Sequence, residues 1–222
     1  EKLIKAGTIV FARRAAYMNA ISQVVSDIHY EYLTNQSETL VLGYLPRLSD
    51  KKFREKPLMT PEHLEHQAWL LSNLEDQDEI AKRFLENLTL ALSKDISSGT
   101  TSVGPHRDDW AFWINGYSLA DFGSRGQQRT AILSFKLAEA RQMFAETGDN
   151  PVLLLDDVIA ELDANRRKWL LDFIDDQDQI VVTSTELDAF SDQFVEKADL
   201  IAVQNGHLIT PASFSESQND ID

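Results

Sequence analysis

Residues 152–157 read Val-Leu-Leu-Leu-Asp-Asp, an apolar run that ends in two carboxylates. Such a run is typical of a strand buried on both faces of a parallel sheet, and the carboxyl edge of such a sheet is where α/β proteins bind ligands. At that edge one of the carboxylates of Asp156 and Asp157 could hold Mg²⁺, while its neighbour orients the attacking water of a phosphoryl transfer. The alternative is that the two aspartates only begin a loop.

The sequence after this run extends it into an α/β layer. Residues 164–173 have a helical pattern, and residues 179–183 form a second buried strand; these predictions rest on the spacing of apolar residues. Asn205-Gly206 predicts a hairpin, because both central positions of its turn require positive φ. We expect residues 213–222 to form a frayed, acidic tail.

The sequence before the run is helical at first and mixed afterwards. Residues 21–32 and 60–92 have helical spacing, the latter with a break near Gln77, and residues 39–45 predict a strand. Further strands are predicted at 101–103 and 110–114, the second of which leads into an Asn115-Gly116 hairpin turn, and a later helix ends at Gly148. We therefore predict a mostly helical arm over residues 1–95 and part of an α/β head over residues 96–222.

The composition limits the classes of protein. Of the 222 residues, 43% are hydrophobic, which is enough for one sizeable core or two modest ones;. A net charge of −15 argues against a protein that coats nucleic acid through its whole surface;. The basic residues between Arg47 and Lys56 form either a local patch for nucleic acid or a solvated loop. With no cysteine, no membrane-length apolar run and no leader pattern, we expect a cytoplasmic protein with no membrane partner.

A second candidate site lies at residues 122–130, Phe-Gly-Ser-Arg-Gly-Gln-Gln-Arg-Thr, directly before a predicted helix. Backbone N–H groups at a helix start, with the positive end of the helix dipole, form a ready anion site. The alternative is an ordinary glycine-rich loop with a helix cap. The order of loop, helix, apolar strand with two aspartates, and Glu161-Leu162-Asp163 is that of an ABC-type nucleotide-binding head, and it favours the anion site.

Together these motifs resemble those of the RecF family of recombination mediators. The resemblance rests on Gly-Pro-His-Arg-Asp-Asp at 104–109, the loop at 124–130, and Leu-Leu-Leu-Asp-Asp-Val and Glu-Leu-Asp between 153 and 163. These motifs span a little over a third of the chain. The resemblance implies an α/β ABC-type ATPase head with an inserted, mostly helical arm.

The resemblance also implies roles for individual residues. Ser124, Gly126 and Gln127 match the ABC signature loop, which would contact the γ-phosphate of ATP bound to the other subunit of a dimer. Asp156 matches the Walker B magnesium ligand. Asp157 stands where most ABC proteins carry a catalytic glutamate.

One further residue matches the ABC pattern, and one position departs from it. Asp163 lies in the D-loop, which touches the opposite subunit of the dimer. At the switch position, where ABC heads commonly carry a histidine, the chain has Thr183-Ser184-Thr185. The hydroxyls of Thr183 and Thr185 can donate hydrogen bonds to a γ-phosphate but carry no charge, so we expect a weak ATPase.

The phosphate-binding loop of an ABC head is missing from the sequence. None of the nine glycines is followed by lysine, so no Gly-x-x-x-x-Gly-Lys-Ser/Thr motif is present;. We therefore expect this chain to be a C-terminal part of a longer protein and to be inactive as an ATPase by itself.

The family implies a DNA repair and recombination mediator that uses ATP and Mg²⁺. It would dimerise on ATP binding, clamp double-stranded DNA at single-strand/double-strand junctions, and promote recombinase loading with a RecR-type mediator. Two alternatives are a fragment of a chromosome-organising, Rad50-like or SMC-like ATPase, and a non-catalytic module whose arm binds a partner protein. The first of these needs sustained heptad repeats, which the arm lacks.

His106 is the histidine most worth attention. With Arg107 and Asp108 beside it, we expect a structural hydrogen-bond network between arm and head rather than catalysis. The other histidines share no metal-ligand spacing and are expected at the surface. They are His29, His63, His66 and His207.

Overall fold

Apolar residues at helical spacing place one face of the first helix, α1 (Lys2–Asp27), at the centre of a buried core. The computed structural model describes residues 1–49, 58–159, 162–175 and 178–209. Most of the predicted basic patch, Glu161 of the predicted D-loop and the predicted tail at 213–222 lie outside these residues. No helix in the described ranges has the length and apolar character needed to cross a membrane.

The chain divides into two units, residues 1–150 and 151–222. The boundary predicted near Asp95 falls inside the first unit, because α1 contacts elements on both sides of that position. The division into an arm and a head therefore does not coincide with the two units, and it stays a prediction about domain organisation.

The first unit contains five α-helices and three strands among its described residues. The helices are α1, α2 (Pro61–Ser72), α3 (Gln77–Ser98), α4 (Leu119–Phe122) and α5 (Arg125–Thr147). The strands are β1 (Leu40–Leu45), β2 (Asp109–Ile114) and β3 (Tyr117–Ser118). A π-helical turn (Ile28–Leu33) continues α1, and a 3-10 turn (Pro105–Arg107) precedes β2.

The core of the first unit forms where α1 packs against β1, α3 and α5. Phe11 of α1 meets Phe84 of α3 edge to face, with ring centroids 5.2 Å apart. β1 pairs antiparallel with β2, and β2 pairs with β3. Gly43 of β1 has to be small, because a Cβ there would lie 2.5 Å from Leu64 and 2.7 Å from Trp113.

Most local predictions for this unit are confirmed. α2 ends and α3 begins on either side of the predicted break, and Asp76 caps α3 by accepting a hydrogen bond from the Glu79 N–H at 3.0 Å. The Asn115-Gly116 turn joins β2 to β3 with positive φ at both residues, 49° and 84°. Gly148 ends α5 in the left-handed region, at φ 78°.

The strand predicted at residues 101–103 is wrong. The backbone groups of this segment bond to side chains instead of to a neighbouring strand. The Ser102 N–H donates to both carboxylate oxygens of Asp95 at 3.1 Å, and the Thr101 carbonyl accepts from the Arg107 side chain at 3.0 Å. These bonds satisfy the backbone locally, so no ladder is needed.

The surface position expected for the histidines is wrong for two of them. His29 and His63 are 0% and 5% exposed. A histidine can be buried when its ring nitrogens have partners. Nδ1 of His29 lies 3.0 Å from Ser134 Oγ, and Nδ1 of His63 accepts from the Thr60 N–H at 2.9 Å, which completes the capping box of α2.

The second unit is built around a parallel strand pair. Its described strands are β4 (Leu153–Asp156), β5 (Ile180–Thr183), β6 (Ala202–Gln204) and β7 (His207–Ile209), and its helices are α6 (Ala164–Asp175) and α7 (Asp192–Lys197). β4 and β5 are parallel, as predicted, and Asn205-Gly206 forms the predicted hairpin between β6 and β7.

The prediction that β4 is buried on both faces is wrong for this chain. Leu155 is 7% exposed, but Leu154 is 73% exposed, and Val181 of β5 is 51% exposed. The reason is that successive strand residues point to opposite faces, and the described residues of this unit cover only one face of the strand pair.

Candidate functional site

The two aspartates of the apolar run lie at the carboxyl end of the parallel strand pair. β4 and β5 are paired in register, so that Asp156 stands opposite Thr183. Asp156 is the last residue of β4, Asp157 comes after it outside the strand, and both are exposed. This is the edge of a parallel sheet at which α/β proteins bind ligands.

The hydroxyl of Thr183 joins the two aspartates. It donates a hydrogen bond to Asp156 Oδ1 at 2.6 Å and accepts one from the Asp157 N–H at 3.0 Å. Asp157 has a φ of 53°, in a region that residues with a side chain rarely adopt;. Backbone strain of this kind persists only where surrounding contacts hold it, and the bond to Thr183 is one such contact.

The two predicted switch residues differ in their surroundings. The hydroxyl hydrogen of Thr183 is donated to Asp156, so donation to a phosphate would require Thr183 to give up that bond. Thr185 is exposed, and the neighbouring Ser184 donates to the Glu186 carbonyl at 2.8 Å. Thr183 is therefore hydrogen-bonded to both aspartates, whereas Thr185 is not part of this network.

The donor set at this edge fits Mg²⁺ held together with a nucleotide. Mg²⁺ usually takes one or two carboxylates and completes its six ligands with waters and substrate phosphates. Asp156 supplies an exposed carboxylate with one oxygen already oriented by Thr183. Within the described ranges no cluster of three or more His, Asp or Glu side chains could hold a metal ion. A magnesium ion here would therefore take its remaining ligands from waters and from the phosphates of a bound nucleotide.

Asp163 caps the start of α6. Its Oδ1 accepts from the N–H groups of Asn165 and Arg166 at 3.1 and 3.0 Å, and its backbone carbonyl accepts from the Arg167 N–H at 2.9 Å. The side chain is still 57% exposed. This capping role was not predicted from the sequence. The predicted contact of Asp163 with a second subunit stays a prediction.

The predicted signature loop forms a reciprocal cap at the start of α5. Ser124 Oγ accepts from the Gln127 N–H at 3.2 Å, and Gln127 Oε1 accepts from the Ser124 N–H at 2.9 Å. This capping box satisfies two backbone donors that a helix start would otherwise leave without partners. Ser124 and Gly126 are exposed on the outside of this turn.

Neither the backbone conformation nor the packing of the loop requires a glycine at position 126. Its φ is not positive, and a Cβ built there would meet only Ser124 Oγ, at the ordinary contact distance of 3.9 Å. Gly123, three residues earlier, is required, because its Cβ would lie 2.5 Å from the Leu119 carbonyl oxygen. The fold therefore does not explain the glycine at this exposed helix start. Its missing side chain leaves room for a group that approaches from outside.

Sequence reasoning missed a residue that touches this loop. Glu38 Oε1 accepts from Gln127 Nε2 at 2.8 Å, although the two residues are 89 positions apart. Glu38 lies just before β1, in a segment with no motif, so no local pattern identifies it. Ser124, Gln127 and Glu38 belong to the first unit, whereas the aspartates and Thr183 belong to the second.

The Gly-Pro-His-Arg-Asp-Asp segment forms the predicted structural network, but its centre is Asp108 and not His106. Asp108 accepts from the Arg14 guanidinium at 2.9 Å and from the Arg47 N–H at 2.8 Å. It also accepts a short hydrogen bond from the Tyr44 hydroxyl. Burial raises the pKa of Asp108, and burial beside Asp108 raises the pKa of Tyr44. The segment is thus an anchor for α1 and β1.

Similarity to curated proteins covers nearly the whole chain. The chain is 37% identical to the DNA replication and repair protein RecF of Natranaerobius thermophilus, over 94% of this chain and 50% of that protein. It is 34% identical to RecF of Geobacillus kaustophilus, over 96% and 51%. It is 43% identical to RecF of Roseiflexus castenholzii, over 67% and 39%.

The chain belongs to the RecF family. It spans about half the length of the curated RecF proteins that it matches. No protein-family model matches it. A match to RecF over 96% of the chain includes the segments that carry both the aspartate pair and the capped loop.

Solved RecF structures share the fold. One, described as the recombination mediator protein RecF-ATPrS in the RecFOR pathway, has a TM-score of 0.69 and 28% identity, and covers 93% of this chain and 48% of that chain. Another, described as RecF-ATP in the same pathway, has a TM-score of 0.64 and 30% identity, over 85% and 45%. The α/β, ABC-type fold class predicted from the sequence is confirmed.

Proposed function

We propose that this chain supplies the signature loop and the Walker B edge of a cytoplasmic recombination mediator ATPase that acts in DNA replication and repair. The capped loop of Ser124, Gly126 and Gln127 would contact the γ-phosphate of ATP held by a second copy of the protein. ATP would thereby close a homodimer, and hydrolysis would release it. The closed dimer would hold duplex DNA at single-strand/double-strand junctions and act with a RecR-type mediator in recombinase loading.

The observation that carries this proposal is the exposed, preformed start of α5. Its capping box fixes Ser124 and Gln127 without using the Ser124 hydroxyl hydrogen, since Ser124 Oγ acts as the acceptor from the Gln127 N–H. The missing side chain of Gly126 keeps the approach to these groups open. Backbone N–H groups and a hydroxyl donor at a helix N-terminus are suited to a phosphate.

The two aspartates, Asp156 and Asp157, would carry out hydrolysis. Bound Mg²⁺ would neutralise phosphate charge at the sheet edge. Asp156 would be its carboxylate ligand, oriented by Thr183, and Asp157 would orient the attacking water;. Aspartate is one methylene shorter than the glutamate common at this position, and no charged residue stands at the switch, so the proposed hydrolysis is slow. Asp163 would lie at the dimer contact.

The charge of the chain limits how DNA could be bound. With 36 acidic and 21 basic residues, contact with phosphates has to be local;. The family relationship, and not a basic surface in the described residues, supports the proposed DNA partner. A non-catalytic interaction module would share the fold but would not respond to nucleotide.

The test is Ser124→Arg in a full-length protein that contains this chain. A bulky cation at Ser124 fills the space that the phosphate needs, so ATP-dependent dimerisation should be abolished. ATP binding to the monomer should be nearly unchanged, because the contact is made across the interface. The loss of the cap itself should cost about 1 kcal/mol of stability.

Ser191→Arg is the matched control. Ser191 caps α7 by accepting from the Phe194 N–H at 3.3 Å and is exposed, so the control loses the same kind of cap and gains the same charge at a residue outside the loop. Sedimentation with and without ATP, alongside melting curves, separates the outcomes. ATP-dependent dimers of the Ser124 variant at the wild-type level would remove the proposed role of the loop.

A further inference from the structure

The carboxylate of Glu38 contacts the capped loop through Gln127. Glu38 Oε1 accepts a 2.8 Å hydrogen bond from Gln127 Nε2, while Gln127 Oε1 accepts from the Ser124 N–H at 2.9 Å. The amide of Gln127 is therefore held at both ends, by Ser124 on one side and Glu38 on the other. Because the amide is planar, fixing its nitrogen end also fixes the direction in which its oxygen faces Ser124.

A buried histidine lies beside the Glu38 carboxylate, at ion-pair distance but without a hydrogen bond. His29 Nε2 lies 3.5 Å from Glu38 Oε2, and the two side chains are 0% and 20% exposed. On its other side His29 Nδ1 lies 3.0 Å from Ser134 Oγ, and the Ser134 hydroxyl donates to the Thr130 carbonyl at 2.8 Å. With its hydroxyl hydrogen on Thr130, Ser134 is the acceptor from His29 Nδ1–H, so His29 Nε2 presents a proton to Glu38 only in the imidazolium form;.

Four polar side chains therefore lie in series, from Gln127 to Glu38, His29 and Ser134, with hydrogen bonds at both ends and an ion-pair distance between Glu38 and His29. The series begins and ends on α5, at the first turn and about two turns further along. Of the two middle residues, His29 lies in the π-helical turn after α1, and Glu38 lies between that turn and β1. The hydrogen bond from Gln127 to Glu38 ties the start of α5 to a distant part of the sequence;.

An unusual backbone conformation before Glu38 positions its carboxylate next to Gln127. His29 lies in the π-helical turn that comes after α1, and π-helical turns occur frequently at functional sites;. Thr34 closes this turn, since its N–H and its hydroxyl both donate to the His29 carbonyl, at 2.9 and 2.8 Å. Asn35 and Gln36 then have φ of 49° and 60°, a conformation costly for residues with side chains;.

We propose that Glu38 is a positioning residue for the signature loop: through Gln127 it sets the orientation of Ser124 toward the nucleotide of the second subunit. The proposal rests on the function proposed above for this loop. A carboxylate that is four-fifths buried loses hydration, so it has to be compensated by a partner, and its hydrogen-bond donor here is Gln127;. Glu38 touches no nucleotide and acts only through Gln127.

The decisive variant is Glu38→Ala in the full-length protein. It removes the acceptor from Gln127 Nε2, so the Gln127 amide can rotate and its bond to the Ser124 N–H weakens. We expect the dissociation constant of the ATP-dependent dimer to rise by at least about tenfold, since bonds to charged groups are among the stronger ones. ATP binding to the monomer should stay at the wild-type level.

Two conservative variants separate positioning from stability. Glu38→Gln keeps an oxygen acceptor at the same reach and should restore dimerisation. Glu38→Asp keeps the charge but draws the carboxylate back by one methylene, so it should fold and still dimerise poorly. A purely structural role would lower the melting temperature and leave dimerisation of the folded protein unchanged, so Glu38→Asp also carries the test if Glu38→Ala does not fold.

Glu31→Ala is the matched control. Glu31 is an exposed carboxylate in the same π-helical turn and accepts from Gln36 Nε2 at 2.9 Å, but has no link to α5. It should dimerise as wild type. The double variant Glu38→Ala, Gln127→Ala should dimerise no worse than Gln127→Ala, because residues that act through one another are not additive.

The outcomes distinguish this inference from the function on which it rests. If Ser124→Arg abolishes ATP-dependent dimers while Glu38→Ala and Glu38→Asp dimerise like Glu31→Ala, the positioning role of Glu38 is overturned and the loop keeps its function. If the wild-type protein forms no ATP-dependent dimer, the proposed function itself fails. Additive effects of Glu38→Ala and Gln127→Ala would also overturn the inference, because Glu38 would then act by another route.

Discussion

Gly126→Ala should make the protein more stable and less able to dimerise. Gly126 is the second residue of the capped start of α5, its φ is not positive, and the added methyl group would meet nothing closer than Ser124 Oγ at 3.9 Å. Alanine at a compatible helical position stabilises a protein by about 0.4–1 kcal/mol, mainly because the unfolded chain has fewer conformations to lose. The melting temperature should therefore rise by roughly 1–4 °C.

The same methyl group should interfere with the second subunit. It would stand on the exposed side of the loop, where the proposed phosphate contact is made, and even a small displacement of that phosphate weakens short hydrogen bonds steeply. In the full-length protein we expect ATP binding to the monomer to be unchanged and the dimer to be weakened by about tenfold, which corresponds to about 1.4 kcal/mol.

Gly123→Ala provides the comparison. Its methyl group would lie 2.4 Å from Leu119 Cδ1 and 2.5 Å from the Leu119 carbonyl oxygen, so this variant should lose stability. Differential scanning calorimetry and sedimentation with ATP measure the two effects. A Gly126→Ala protein with a lower melting temperature would refute the claim that the chain does not require this glycine. Wild-type dimerisation in a stabilised variant would refute the claim that its open side receives a ligand.

Two further predictions concern the nucleotide. The 222-residue chain by itself has no Gly-Lys pair for a phosphate loop, so calorimetry with ATP and Mg²⁺ should show no binding tighter than about 100 μM, or roughly 5.5 kcal/mol;. Tighter binding would show that the nucleotide is held by residues outside the ABC pattern. In the full-length protein, Asp157→Asn should slow ATP hydrolysis at least about tenfold and leave ATP binding and dimerisation largely intact, because Asp156 and not Asp157 is the proposed metal ligand. Loss of nucleotide binding in that variant would mean that the two roles are exchanged.

Several errors of the sequence predictions share one cause. Residues 101–103 look like a strand because β-branched residues favour one, but the side chains of Asp95 and Arg107 satisfy their backbone groups. β4 looks buried on both faces because all its first residues are apolar, yet Leu154 is 73% exposed. Whether a strand is paired or covered depends on segments elsewhere in the chain, and the local pattern contains no information about them.

Part of the candidate site could also be predicted from local sequence patterns, and part could not. The order of the capped loop, the apolar strand and the two aspartates could be read directly, because each motif extends over fewer than ten residues. The bond from Thr183 to Asp156 spans 27 positions, and the bond from Gln127 to Glu38 spans 89. Neither Thr183 as the bridge between the aspartates nor Glu38 as a neighbour of the loop can be inferred from a short-range pattern.

The sequence by itself determined the helices and strands that have strong periodicity, the turns at Asn-Gly and Gly, the absence of a phosphate loop, and the family resemblance. These features depend on the conformational preferences of residues within one or two turns of each other. Only the tertiary structure decided that Asp108 anchors α1 and β1, that His29 is buried, and that Glu38 supports the loop. These contacts join residues that come together only when the core between them has formed, and burial then makes each polar group dependent on its partner.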